Sequence, residues 1–319
     1  MRLGKRLPLF WLAGASAIVF LAVIGLSLVT QDKADLHGSE RIGLLLLAGL
    51  LYLASHLMRA LRLAIIATPM IGLSFRTGVY LHFFVAPWSL LLPLKTDELI
   101  RLHELGRAGR AWTRAVLVVL IDRSMDGLVL VALSIYLLRM GHTDVASFTG
   151  VLGVGLTALV IAFLILPVLL ESAQRHIFTN HYGDYAVRLL RWVSYLRGLL
   201  TVARQTIHRV LPFLALSTIA IWSIELAAVY AALSAVGTDM PSFVVPTEAM
   251  VTRAGESWRM LLGGGASELG QTSRIFFLFL LAVWPFAYFG YRRRNRVEPS
   301  RARLRASGQG ERVDREEAA

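Results

Sequence analysis

The chain has 319 residues, 56% of them hydrophobic and 17% charged, with a mean hydropathy of +0.60. Apolar runs of about 20 residues recur along it, the length that crosses a bilayer, so an ordinary water-soluble fold is excluded. It has no cysteine, which removes disulfides, thiolate nucleophiles and cysteine-ligated metals, and its net charge of +12 sits beside the apolar runs, pointing to anionic lipid and not to nucleic acid.

In chain order the hydropathy predicts six spans, at about 8–29, 42–68, 111–138, 149–170, 210–235 and 273–291. The first follows the basic stretch MRLGKRL and resembles a signal sequence, but it is too long and has no convincing small-residue cleavage site, so it is expected to be retained. Residues 79–94 are apolar over only about 16 positions and are interrupted by Pro87 and Pro93, which suits a re-entrant hairpin buried among helices. With that segment re-entrant and the N-terminus inside, 26 of the 33 lysines and arginines fall inside and 6 outside, with Arg123 mid-span. A full crossing at 79–94 would invert everything after it and put most of the basic residues outside.

Residues 171–209 read as an amphipathic cytoplasmic segment, with Leu189, Leu190, Val193, Leu196, Leu199 and Leu200 beside Arg188, Arg191, Arg197 and Arg204. Such a helix either lies on an anionic leaflet or simply connects two spans through solvent. A second interrupted segment runs from Met260 to Phe276 with Gly263, Gly264, Gly265 and Gly270, and residues 292–319 are charged, small and free of aromatics, so a disordered cytoplasmic tail is expected there. The expected fold is all-α: one integral membrane domain over 1–291, a polytopic helix bundle of about six spans plus one or two re-entrant or broken helices, with both termini inside.

The residues that carry chemistry are the charges within these spans. Asp122, Arg123 and Asp126 lie deep in the span 111–138, where an ionised side chain costs about 2.5–3.5 kcal/mol unless partnered. Asp122 and Asp126 share a helix face and Arg123 is three positions from Asp126, so a local pair would leave Asp122 seeking another cation. His56, Arg59 and Arg62 recur every three residues on one face of the second span and are the candidates. Two readings stay open: a polar cleft that holds a phosphate headgroup on its arginines, oriented by the aspartates, or an interhelix ion-pair network that only fixes packing.

Glu98 and Arg101 can pair if Asp97 begins a helix, or they can mark a solvated helix start. His103 and Glu104 lack partners at metal-ligand spacing and are assigned no site. Glu225, alone in the fifth span, is protonated, partnered by an arginine elsewhere, or a proton-coupling group. Glu268 and Arg274 flank the glycine-rich break and are candidates, with Glu225, for a second half of the cleft. The run from Gly263 to Gly270 lacks the Lys-Ser/Thr ending of a phosphate loop, and no hydrolase motif is present. Asp122-x-x-x-Asp126 matches half of the magnesium–diphosphate arrangement of intramembrane prenyltransferases, without the second acidic motif that would complete it. No catalytic residue, metal or cofactor is therefore expected.

The stretch Pro93-Leu-Lys-Thr-Asp-Glu98-Leu-Ile-Arg101, followed by Ile121-Asp122-Arg123-Ser-Met-Asp126, resembles the lysylphosphatidylglycerol synthase transmembrane region family of flippase-like membrane proteins. There a Pro-x-x-Gly-Glu-x-x-Arg-like turn precedes a span bearing Glu-Arg-x-x-Asp. Pro93, Glu98, Arg101, Arg123 and Asp126 carry the match, while Asp97 stands where the family often has glycine and Asp122 replaces glutamate. Gly263-Gly-Gly-Ala-Ser-Glu268 loosely resembles a late Pro-Gly-Gly-x-Gly-x-x-Glu element, without its proline. The resemblance implies lipid handling and not synthesis, since the soluble aminoacyl-transferase domain of the full-length synthases is not expected here.

Residues and resemblance together lead to an expectation: a multi-pass protein of the bacterial inner membrane, not an enzyme, that binds and moves an anionic lipid or polyprenyl-phosphate headgroup. Arg59, Arg62, Glu98, Arg101, Asp122, Arg123 and Asp126 are expected to line the cleft, and membrane lipids are the expected partners. The alternative is a non-transporting scaffold for a separately encoded lipid- or glycan-modifying enzyme; an intramembrane lipid-phosphate transferase is the weaker third.

Overall fold

The computed structural model describes residues 39–91, 97–180, 183–236, 244–261, 276 and 279–293. Among these all regular structure is helical. The helices are α1 (Ser39–Ile71), α2 (Phe75–Val85), α3 (Trp88–Leu91), α4 (Asp97–Gly109), α5 (Trp112–Arg139), α6 (Ala146–Asn180), α7 (Asp184–Val236), α8 (Val244–Leu261) and α9 (279–293).

Local chemistry accounts for the breaks between them. α1 stops at Gly72, whose φ of +75° is costly for any residue with a Cβ, and whose N–H closes on the Thr68 carbonyl at 3.0 Å. Two residues on, Ser74 caps α2, its hydroxyl accepting from the Thr77 N–H. α2 ends ahead of Pro87, and α3 is a single turn. At 11 residues α2 is about 16 Å long, half of a hydrocarbon layer, which suits the re-entrant reading of 79–94. Gly78 lets it approach α1: a Cβ there would lie 2.9 Å from the Ala64 Cα.

Among the described residues three helices are long and apolar enough to cross a membrane: Ile42–Ile71, Ala146–Thr179 and Asp184–Ala235. α5 has the length as well, but carries Arg114, Asp122, Arg123, Asp126 and Arg139. None of the most apolar stretch of α6 is buried within the chain. Leu164, Val168 and Leu169 there, like Leu50 on α1 and Leu216 on α7, stand more than half exposed. So large an apolar exterior needs lipid around it, and the chain is a membrane protein.

Several boundaries differ from expectation. The span predicted at 149–170 is part of a helix that continues to Asn180, and the span at 210–235 begins 26 residues earlier, at Asp184. Residues 171–209 are therefore no separate segment. They belong to two long helices folded back on each other, which form an arm with a seam of Phe163, Leu170 and Ile177 against Ala186, Val193 and Leu200. Hydropathy stops at arginines, whereas helix propensity does not, because Arg and Leu are both good helix formers. The leucines read as lipid-facing are divided: Val193, Leu199 and Leu200 are buried and Leu189 is exposed. The first predicted span at 8–29, Pro93, the break at 262–275, and the tail from residue 294 on lie outside the described residues; α9 runs to 293, just past the expected tail boundary.

The bundle is organised around α1 and α7, its most extensive helix contact. Its two largest apolar clusters flank the charges. One joins Leu63, Ile66 and Met70 of α1 with Leu81 and Val85 of α2, Leu105 of α4, Ala115 and Val118 of α5 and Leu214 of α7. The other joins Ala48 and Tyr52 of α1 with Ala228, Val229 and Ala232 of α7, Met250 of α8, Phe276 and Leu280.

A buried charge network between two apolar clusters

Between those clusters lies a polar band. On α1 it takes His56, Arg59 and Arg62, after Tyr52 of one cluster and before Leu63 of the other. On α7 it takes Thr218, Trp222 and Glu225, between Leu214 and Ala228. Arg59 lies 11 residues from both Ala48 and Met70, or about 16 Å along the helix from either end of its buried apolar face. The α1 and α7 charges therefore sit midway between the two apolar clusters, at mid-depth in the bundle.

Arg62 is the centre. It is fully buried, and each of its nitrogens is bonded: Nε to Asp122 Oδ1 at 2.8 Å, Nη1 to the Thr218 hydroxyl at 3.0 Å, and Nη2 to Asp126 Oδ1 at 2.8 Å and to the Asp122 carbonyl at 3.3 Å. One guanidinium thus ties α1, α5 and α7 together. The planar five-donor fork suits arginine to this place, where lysine offers only a point charge.

Asp122 collects three arginines. Besides Arg62 it meets Arg101 at 3.3 Å and Arg123 at 2.7 Å, both through Oδ2. Arg123 also reaches Asp126 at 3.0 Å and Glu98 at 3.2 Å, and Arg101 reaches Glu98 at 3.6 Å. Asp97 begins α4, which carries Glu98 and Arg101 on its first two turns to meet α5. On the far side Arg59 pairs with Glu225 and lies over the Trp222 ring, 5.7 Å from its centroid. Trp222 closes the circuit by donating its indole N–H to Asp126 Oδ1 at 3.3 Å.

Each candidate within the described residues joins this one network: Arg59, Arg62, Glu98, Arg101, Asp122, Arg123, Asp126 and Glu225. Of the three states open to Glu225, the geometry is that of an ion pair with Arg59. Glu268 and Arg274 lie outside the described residues. Four arginines face four carboxylates, so the set is close to neutral, as burial demands. It is not sealed. The Arg123 side chain is 31% exposed and that of Glu98 19%, while Asp122 between them is 2% exposed, which makes Arg123 and Glu98 the open edge of a closed interior.

Sequence reasoning missed Thr218 and Trp222, since a hydroxyl and an indole within an apolar helix give no signal until a partner is placed beside them. It also missed His82 on α2, whose ring lies 3.2 Å from that of His56 and completes the polar band on that side. Glu104, assigned no site, is held by Arg107 at 2.6 Å and by the Tyr291 hydroxyl at 2.7 Å, and so docks α9 onto α4. Among the described residues no group of His, Asp and Glu could hold a metal ion.

Comparison with known proteins adds one finding. The family model described as lysylphosphatidylglycerol synthase TM region matches residues 9–255, which takes in the whole charge network. Neither a curated protein nor a solved structure matches the chain. A helical membrane bundle, charges gathered at mid-depth on α1, α4, α5 and α7, and a match over most of its length place this chain in the lysylphosphatidylglycerol synthase transmembrane-region family, a lipid-related family of membrane proteins.

Proposed function

We propose that the chain is a flippase-like, multi-pass inner-membrane protein whose charge network receives the headgroup of an anionic phospholipid or polyprenyl phosphate and eases it between leaflets. The observation that carries this reading is the open edge at Arg123 and Glu98, leading to a line of arginines at mid-depth. A phosphate crossing hydrocarbon needs charge-assisted hydrogen bonds all the way. Guanidiniums donate to phosphate and carboxylate oxygens in the same two-pronged geometry, so a headgroup can displace Glu98 from Arg123 and then compete for the arginines behind it. The carboxylates hold those arginines paired between passages, and no covalent step is invoked. Tails remain in lipid beside the exposed apolar face of α5, at Val116, Leu120 and Leu128.

The test is leaflet exchange of a fluorescent anionic phospholipid in proteoliposomes. The Arg123→Ala/Asp126→Ala variant is expected to expose lipid no faster than protein-free liposomes, with expression and monodispersity retained; exchange at the wild-type rate would sink the cleft assignment.

A second reading has its own support. Arg62 is enclosed and fully bonded, as a brace would be, which fits a scaffold for a separately encoded lipid- or glycan-modifying enzyme. It predicts a stoichiometric partner in mild-detergent purifications and no lipid movement by the chain alone.

A further inference from the structure

The arm carries a feature that the charge network does not use. Where it meets the first turn of α5, Thr113, Arg191, Trp192 and Tyr195 line an open groove of about 410 Å³. The Thr113 and Tyr195 hydroxyls are 2.7 Å apart and join α5 to α7 across it. Trp192 is 65% exposed and stands edge-on to Tyr195, with ring centroids 6.3 Å apart. Arg191 is exposed and forms no ion pair with any described residue.

The depth of the groove follows from the helix pairing. α6 and α7 run antiparallel on either side of the turn at Gly183, and their seam sets Phe163, Leu170 and Ile177 in one seven-residue series against Ala186, Val193 and Leu200 in another. Counting outward from the turn brings Leu170 level with Val193. Arg197 bridges the same two helices, reaching Gln174 at 3.2 Å and Glu171 at 3.6 Å. Trp192 and Tyr195 therefore lie where the apolar run of α6 gives way to Glu171, and the apolar face of α5 begins beside them with Val116. Indole and phenol rings settle at that level of a bilayer, between acyl chains and phosphates.

Charge says which lipid. Arg188, Arg191, Arg197, Arg204 and Arg209 are all exposed on the first half of α7, where Asp184 is the lone carboxylate. Glu171, across the seam, is taken by Arg175 and Arg197. Arg191 has no such partner, and two hydroxyls share its groove.

We propose that Thr113, Arg191, Trp192 and Tyr195 form a headgroup site for an anionic phospholipid at the inner membrane surface, separate from the mid-depth network. Arg191 binds the phosphodiester, whichever of the two hydroxyls accepts from the other donates its own proton to a phosphodiester oxygen or the headgroup alcohol, and Trp192 packs against the glycerol backbone and upper acyl chain. The lipid then serves as a mortar between the arm and α5, and the proposal stands whether or not the chain moves lipid.

The full chain in detergent, titrated with phosphatidylglycerol and examined by native mass spectrometry, provides the test. Arg191→Gln is expected to retain one phosphatidylglycerol fewer than wild type, or to need about tenfold more lipid for the same occupancy. Arg204→Gln, which removes an equal charge about two turns beyond the groove, is expected to behave as wild type. Phosphatidylcholine should be retained less well than phosphatidylglycerol, and millimolar glycerol phosphate should not displace the lipid. Unchanged retention in Arg191→Gln, an equal loss in Arg204→Gln, equal retention of phosphatidylcholine, or displacement by glycerol phosphate would each overturn the assignment, the last in favour of a soluble anion.

Discussion

The two halves of α7 handle charge in opposite ways. From Leu214 onward the helix lies against α1, and three of its polar side chains serve the network: Thr218 bonds Arg62, Trp222 bonds Asp126 and stacks on Arg59, and Glu225 pairs with Arg59. Before Leu214 the same helix presents five arginines to the surroundings, packs an apolar seam on α6, and joins the bundle core through Ala203, Ile207 and Val210. Depth makes the difference. An ion at mid-bundle must be paired or it costs several kcal/mol, whereas an arginine at the membrane surface is solvated and free to meet lipid phosphates.

The contrast is broken most directly at Arg62. Arg62→Ala leaves Asp122 and Asp126 short of their shared buried cation, and removing one partner of such a pair costs about 3–5 kcal/mol. The expected outcome is loss of monodisperse protein on size exclusion, or a fall in melting temperature of many degrees; a normal melt would mean that the network does not hold α1, α5 and α7 together. Crossing the Arg59–Glu225 pair gives a smaller effect with a diagnostic sign. Arg59→Glu and Glu225→Arg should each destabilise, and the double exchange should recover part of the loss, so that a double-mutant cycle reports a coupling of about 0.5–3 kcal/mol. Strictly additive losses would count against the pair.

Next comes Gly78→Leu. Its Cβ would meet the Ala64 backbone at 2.9 Å, so α2 must move off α1 at a cost of about 1–3 kcal/mol, read as a lowered melting temperature. The arm gives the smallest effect. Arg175 and Glu171 are exposed, with side chains 82% and 47% accessible, and Arg175→Gln should leave the melt unchanged within error.

Much of the buried half was legible in the sequence. Asp122, Arg123 and Asp126 advertise themselves because charge inside an apolar helix is rare, and three-residue spacing singled out Arg59 and Arg62 as partners. Asp97 and Glu98 marked the start of α4 because acidic groups favour a helix N-terminus. What the sequence did not disclose was which cation serves which carboxylate: Arg62 lies 60 positions from Asp122 and 156 from Thr218, and no local periodicity encodes such a meeting. The pairing within the arm stayed hidden for a related reason. Its leucines fit lipid and a neighbouring helix equally well, and only the return of α7 along α6 divides them between seam and surface.

The central claim is that the charges of the network, and not those of the arm, carry the headgroup across. One experiment sets the network against the arm: leaflet exchange of a fluorescent anionic phospholipid in proteoliposomes holding wild type, Arg123→Gln or Arg175→Gln at equal density. The account predicts that Arg123→Gln falls to the rate of protein-free liposomes while Arg175→Gln keeps the wild-type rate. Exchange by Arg123→Gln at the wild-type rate would contradict it.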